Sequence, residues 1–442
     1  MSLITKMVTS IVVFVLFVSA IEAGARVIER DRASEPNVGL LQEMRPYLMS
    51  TSQSGGGFKW LNVLDHNRVV PSTIVFNNYG YAENFDYSMI PSADYVSRHG
   101  KHAGEKLVLL TGGSVVHGVG ATANDKTIAR RMQNYLNDKS ATHWRVINMA
   151  MGGWIAYQQF LGLAVFGAPL NPDWVVSMDG HNDATVPCAH GSGAGNPLGW
   201  PQIVYMEQGS MGGGERNGFL SRLAKYSAAV RVIGHVDPVS RDMPIPSTLV
   251  RDNDDPDPRF AIKMAHLDVS SQEKQVDFYL QAERNIVALF SHANILMSTQ
   301  PVMFDNAVTK TYRKAFSPKA DPVLLTDLER ADDAYMDAYH AQRCSSTLAP
   351  GLLGYFLGKS AVRLEAMMSA AQAADPSRRL LYYNTESAMP LDPETRRPFF
   401  IDNAHMSDLG QDRIGEFLAD VVLSSERGES FDYQGFVQRH EN

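Results

Sequence analysis

Ser114 ends the run Leu107-Val108-Leu109-Leu110-Thr111-Gly112-Gly113-Ser114, an apolar strand closing on a glycine turn. A hydroxyl there stands at the C-terminal edge of a strand, where open α/β sheets gather their sites. Near the far end of the chain lies Asp402-Asn403-Ala404-His405. Serine, histidine and a carboxylate are the parts of an activated hydroxyl nucleophile: the imidazole takes the proton and the carboxylate fixes its tautomer. By itself Ser114 reads more readily as a helix N-cap than as a nucleophile. The GKS or GKT ending of a phosphate loop is absent. So is the closing glycine of a GxSxG elbow, since Val116 stands in its place.

Two further segments supply candidate donors for a developing oxyanion. Asn148-Met149-Ala150-Met151-Gly152-Gly153 ends a second strand, and the Gly153 N–H can approach a substrate closely. Asp179-Gly180-His181-Asn182-Asp183 ends a third, with the Asn182 amide at the same edge. Either segment also reads as an ordinary turn. A metal site built from His181, Asp183, Asp402 and His405 has no HExxH-type spacing behind it, so no metal or other cofactor is expected.

These segments need a sheet to bring them together. From Glu105 onward apolar strands alternate with amphipathic helices. Strands are expected at 106–110, 145–149, 174–178, 295–299 and 380–383, with helices at 127–136, 156–166, 272–292, 325–341 and 408–423. Such a βαβ series makes a parallel sheet covered on both faces. The expected fold class is therefore α/β, a flavodoxin-like three-layer α/β/α sandwich with a long insertion and an N-terminal membrane helix. The expected divisions are 1–30, a signal-anchor or signal peptide; 31–104, an extension of short strands and loops packed on the core; 105–425, the main domain, with its insertion at 184–270; and 426–442, a C-terminal tail. Within the insertion, the acidic stretch Asp252 to Pro258 lacks the ligand spacing of a calcium loop.

Glycine-Gly-Ser after the first strand, glycine after the second, Gly-x-Asn-Asp after the third and Asp-x-x-His before the last helix form a specific order. It resembles the SGNH (GDSL-like) hydrolase superfamily over about residues 105 to 423. The resemblance implies that Ser114, with Gly118 at the family's spacing, is the nucleophile. It implies that Asp402 and His405 complete the triad, and that the Ser114 N–H, Gly153 (Gly152 as the fallback) and Asn182 form the oxyanion hole. One position departs from the pattern: the family's Gly-Asp-Ser is Gly112-Gly113-Ser114 here. The missing aspartate is not the triad acid.

The activity so implied is a serine esterase working through an acyl-serine, on an O-acyl or O-acetyl group of a glycan or on a lipid-like ester. An O-acyltransferase of a cell-envelope polysaccharide shares the same intermediate. A tethered, non-catalytic glycan-binding or scaffold subunit is the third reading. Trp200, Tyr205 and Tyr226 in the insertion are candidates to stack on sugar rings, or to pack a core. A net charge of −8 with no Lys/Arg run gives no expectation of nucleic acid; protein partners are not readable.

Met7 to Ile21 is an apolar run preceded by Lys6, followed by the small residues Ala23-Gly24-Ala25. Extended to Ile28 it is long enough to span a bilayer. An uncleaved anchor with the body outside the cytoplasm is preferred to a cleaved signal peptide. Arg26, Arg30 and Arg32 after the run pull the other way under the positive-inside rule. Cys188 and Cys344 fit no zinc spacing; they read as a disulfide or as two buried thiols.

Overall fold

The computed structural model describes residues 54–88, 91–184, 269–303, 350–390 and 392–441, with short stretches between residues 5 and 52. The chain divides into two compact units. One comprises Met1–Pro36 and Pro201–Ala261, and its described residues include a helical stretch at 17–26 that leaves Phe17, Val18 and Ile21 exposed. The other comprises Asn37–Trp200 and Ile262–Asn442 and carries all the candidate site residues.

The second unit is built on five parallel strands: β1 Glu105–Gly112, β2 His143–Asn148, β3 Trp174–Asp179, β4 Asn294–Thr299 and β5 Leu380–Tyr382. Their spatial order is β2-β1-β3-β4-β5, the flavodoxin-like order. Strand side chains alternate between faces, and here both faces are apolar. Leu107, Leu109, Val175, Ile295 and Met297 join one buried cluster, while Val108, Leu110, Trp174, Val176, Met178 and Leu296 join another.

Helices cover each face. The first cluster takes residues from α3 (Ala156–Gly162), α4 (Val269–Leu289) and α5 (Pro350–Ala374). The second takes them from α1 (Ser114–His117), α2 (Ile128–Asp138) and α6 (Asp408–Glu426). Helix α2 buries Ile128, Met132 and Leu136, one stripe at four-residue spacing. A last helix, α7 (Tyr433–Glu441), adds Phe436 to the second cluster.

β2 is an edge strand, and its backbone is closed by side chains. Asn137 Oδ1 accepts from Trp144 N at 2.8 Å, Gln133 Oε1 from Val146 N at 2.9 Å and Glu83 Oε1 from Asn148 N at 2.6 Å. An edge so occupied has no donor row left to recruit another strand. Short antiparallel pairs at 42–52 and 55–76 precede the sheet. Among them Phe58, Trp60, Ile74 and Phe76 pack with Val119 and Ile401, and so brace the loops after β1 and before α6.

The expected strands and helices of the sheet region are present with ends shifted by a few residues. Helix α5, 25 residues long, lies where no element is expected. The expected helix at 325–341, the body of the insertion with Trp200, Tyr205, Tyr226 and the 252–258 stretch, and both cysteines lie outside the described residues. The expected membrane helix falls only partly on described residues, among which no helix is long and apolar enough to cross a membrane.

Candidate active site

The turns after β1 and β3 flank the point where the strand order reverses, the crevice in which doubly wound sheets bind ligands. β1 ends at Gly112, and Ser114 is the first residue of α1. The first N–H groups of a helix have no intrahelical acceptor, so the helix start leaves the Ser114 N–H for another acceptor.

His405 comes from a tight loop between Phe400 and Met406. The loop is pinned by the bridge between those two residues and by Ile401 N donating to His405 O at 2.9 Å. It is also held from the segment that follows β4, where Met303 N donates to Asn403 O at 2.9 Å. Ser114 Oγ and His405 Nε2 are 2.8 Å apart, and His405 Nδ1 and Asp402 Oδ2 are 2.7 Å apart. A carboxylate only accepts, so Nδ1 carries the proton and Nε2 presents its lone pair to the serine hydroxyl. Both side chains keep about a quarter to a third of their surface exposed, which leaves the site open to a substrate.

Burial pushes the Asp402 carboxyl up, but the His405 charge and hydrogen bonds more than offset this and hold it at about 2. Its other oxygen accepts from Ala404 N at 2.8 Å and His405 N at 2.7 Å. The carboxylate therefore stays charged at neutral pH and orients the ring.

Asn182, nearly buried, donates one amide hydrogen from Nδ2 to Trp154 O at 2.8 Å. An amide nitrogen has two hydrogens, so the second remains for a ligand. Gly153, one residue before Trp154, has φ 79°, a left-handed conformation that costs a side-chain-bearing residue energy. The structure thus brings Ser114, His405 and Asp402 into one hydrogen-bonded chain. It ties Asn182 to the backbone of the turn that carries Gly153. His181 sits beside Asn182; desolvation and the neighbouring His405 hold its ring down to about 4, so it is neutral at physiological pH.

What seats the histidine loop against the serine turn was not among the expected residues. Gln411 on α6 accepts from Ile128 N at 3.0 Å and donates to Val115 O at 3.1 Å. Asp408, also on α6, accepts from Thr122 N at 2.9 Å and from Thr122 Oγ1 at 2.5 Å. Both polar groups lie on the face of α6 turned toward α1 and α2. A glutamine in an otherwise apolar stripe beside Ile414, Phe417 and Leu418 is the one sequence signal that marks it.

No protein-family model and no curated protein matches the chain. Solved structures do. A lipase/acylhydrolase from Enterococcus faecalis shares 12% identity, covering 73% of this chain and 96% of that one at a TM-score of 0.33. A GDSL-like lipase from Bacteroides thetaiotaomicron shares 12%, covering 75% and 97% at 0.33. An acetyl xylan esterase shares 14%, covering 72% and 98% at 0.31. At similarities this low, the functional assignment rests on the site's own geometry.

Proposed function

We propose that the protein is an ester-acting serine hydrolase of the SGNH type, with Ser114 as nucleophile, His405 as general base and acid, and Asp402 as the residue that orients it. The observation that carries this reading is the unbroken contact from Asp402 Oδ2 through both nitrogens of His405 to Ser114 Oγ. His405 Nε2 takes the hydroxyl proton as Oγ attacks an ester carbonyl. The oxyanion is received by the Ser114 N–H, the Gly153 N–H and the second hydrogen of Asn182 Nδ2. One such donor is worth about 3 kcal/mol in the transition state. His405 then hands its proton to the leaving alcohol, and an acyl-serine is left for a second nucleophile.

With water as that nucleophile the protein is an esterase; the substrate class proposed is an O-acyl or O-acetyl ester of a glycan, or a lipid-like ester. With a sugar hydroxyl it is an O-acyltransferase. We further propose that the N-terminal segment tethers the body to a membrane on its extracytoplasmic side. The apolar run from Met7 to Ile21 and the exposure of Phe17, Val18 and Ile21 support this. Membrane fractionation of the full-length chain tests it, and recovery wholly in the soluble fraction, uncleaved, would exclude it.

A fluorophosphonate probe tests the nucleophile. The native protein should be labelled and the Ser114→Ala variant should not. Labelling that survives the substitution, or none in the native protein, overturns the assignment. Product analysis on a short acyl ester, with and without added oligosaccharide, then divides hydrolysis from transfer.

A further inference from the structure

Asp183 follows Asn182 in sequence, but its side chain goes elsewhere. It is buried, at 3% exposure, and both carboxyl oxygens lie near one donor, Ala156 N, at 3.2 Å and 3.1 Å. Ala156 is the first residue of α3. The N-cap before it is Ile155, whose hydrocarbon side chain has no acceptor to offer the orphan N–H groups of the helix start. Asp183 supplies that acceptor from 27 positions away in sequence.

The consequence lies in the pair. Asn182 grips Trp154 O and Asp183 grips Ala156 N, so two adjacent residues of the helical turn after β3 hold two positions of the turn after β2. Gly153 is the residue immediately before that doubly held segment. We propose that Asp183 is a positioning residue for the oxyanion hole: by holding Ala156 N–H it fixes the Gly153 turn at the register in which Gly153 and Asn182 face the same oxyanion. This rests on the serine-esterase reading of the site.

The surroundings fit a group kept for its acceptor rather than for its charge. Asp179 at the end of β3 and Glu283 and Tyr279 on α4 lie close by, with Gln159 on α3. Burial, then repulsion from Asp179, push the Asp183 carboxyl well above the usual range. Ala156 N–H needs only a lone pair, which a neutral side chain also provides. An asparagine at 183 brings that acceptor and a donor for the neighbouring carboxyls, whereas leucine brings neither.

The test is steady-state kinetics on p-nitrophenyl acetate. Asp183→Leu should lower kcat about ten- to a hundredfold with KM within about twofold, because displacing rather than deleting a donor weakens the transition state alone. Asp183→Asn should stay within about threefold of the native kcat. Ala156→Pro removes the same hydrogen bond from the other partner. Proline is tolerated at the first helical position, and Ile155 already has the φ −89°, ψ 163° that a residue before proline needs. It should reproduce the loss, and combining it with Asp183→Leu should add nothing. A folded Asp183→Leu with native kcat, or losses that multiply in the double variant, overturns the proposal. If Asp183→Leu fails to fold, Ala156→Pro decides: native kcat in that variant refutes it. Fluorophosphonate labelling of the native protein separates the two readings. A labelled native enzyme with an indifferent residue 183 removes this inference alone, while an unlabelled one removes both.

Discussion

A methyl group on Gly113 would stand 2.6 Å from Asn182 Nδ2, well inside contact distance. The turn after β1 and the amide after β3 are therefore packed on the assumption that residue 113 has no side chain. This is the position at which the Gly-Gly-Ser sequence departs from Gly-Asp-Ser. The Asn182 side chain has little room to yield, because Nδ2 is held by Trp154 O at 2.8 Å. The local departure and the placement of a candidate oxyanion donor are thus one feature.

Gly113→Ala should accordingly displace the Asn182 amide while leaving the rest of the fold intact. The expected result is a fall in kcat of about ten- to a hundredfold on a short acyl ester, the scale of a donor misplaced by about an ångström. Melting temperature and kinetics measured together check this; a variant with native kcat shows that the amide is not positioned by that contact.

Asp402→Asn keeps a side chain of the same shape but can donate to His405 Nδ1, stabilising the tautomer whose proton sits on Nε2. That form cannot accept the Ser114 proton. In triads of this geometry the change costs about 10⁴-fold in kcat. Because the native carboxyl is held at about 2, below its ordinary 3.8, its contribution to stability is complete above that ordinary value and is lost only as pH falls toward 2. The acid limb of a kcat/KM profile should therefore not move in step with an Asp402 titration near pH 4. An inflection there that disappears in Asp402→Asn contradicts the assignment.

The strands could be read from sequence because both faces of the sheet are buried. Leu107 to Leu110 is a continuous apolar run and Trp174 to Met178 is broken only by Ser177, and each candidate residue sits just past such a run or just before an apolar helix. Helix α5 escaped because Gly351, Gly354 and Gly358 weaken its helical signature and its apolar residues do not confine themselves to one stripe. The supports of the site escaped for another reason. Gln411 meets Ile128 across 283 positions and Asp408 meets Thr122 across 286, so neither partnership has a local pattern. Asp183 is visible as part of Gly-x-Asn-Asp, but its role as the cap of α3 depends on the isoleucine that stands at the helix start.

Gln411→Leu removes the acceptor for Ile128 N and the donor to Val115 O inside a fully buried site. Orphaned buried groups cost about 1–3 kcal/mol each. Urea denaturation should show a lower midpoint with an unchanged slope. Since Gln411 links α6 to α1 and α2, kcat should fall along with stability. A variant as stable as the native protein shows that the link is dispensable.

Glu83 offers a test in the opposite pH direction. It is 4% exposed and accepts from Asn148 N at 2.6 Å on the outer edge of β2. Burial raises its carboxyl to about 7 from 4.5, against the opposing pull of that hydrogen bond and of Arg130 and Arg145. A folded-state value above the unfolded one means that the contribution is fully present below about pH 4.5 and is lost as pH rises through about 7. The shift corresponds to roughly 3 kcal/mol. Glu83→Gln preserves an acceptor for Asn148 N and cannot ionise. The native protein should lose melting temperature between pH 5 and 8, and the variant should lose less. Asp179, also raised by burial to about 7, remains in the variant and keeps part of the slope. The informative quantity is therefore the difference between the two curves, which should grow from near its minimum at pH 5 to its full size at pH 8. Parallel curves would mean that Glu83 is not the group being forced to ionise.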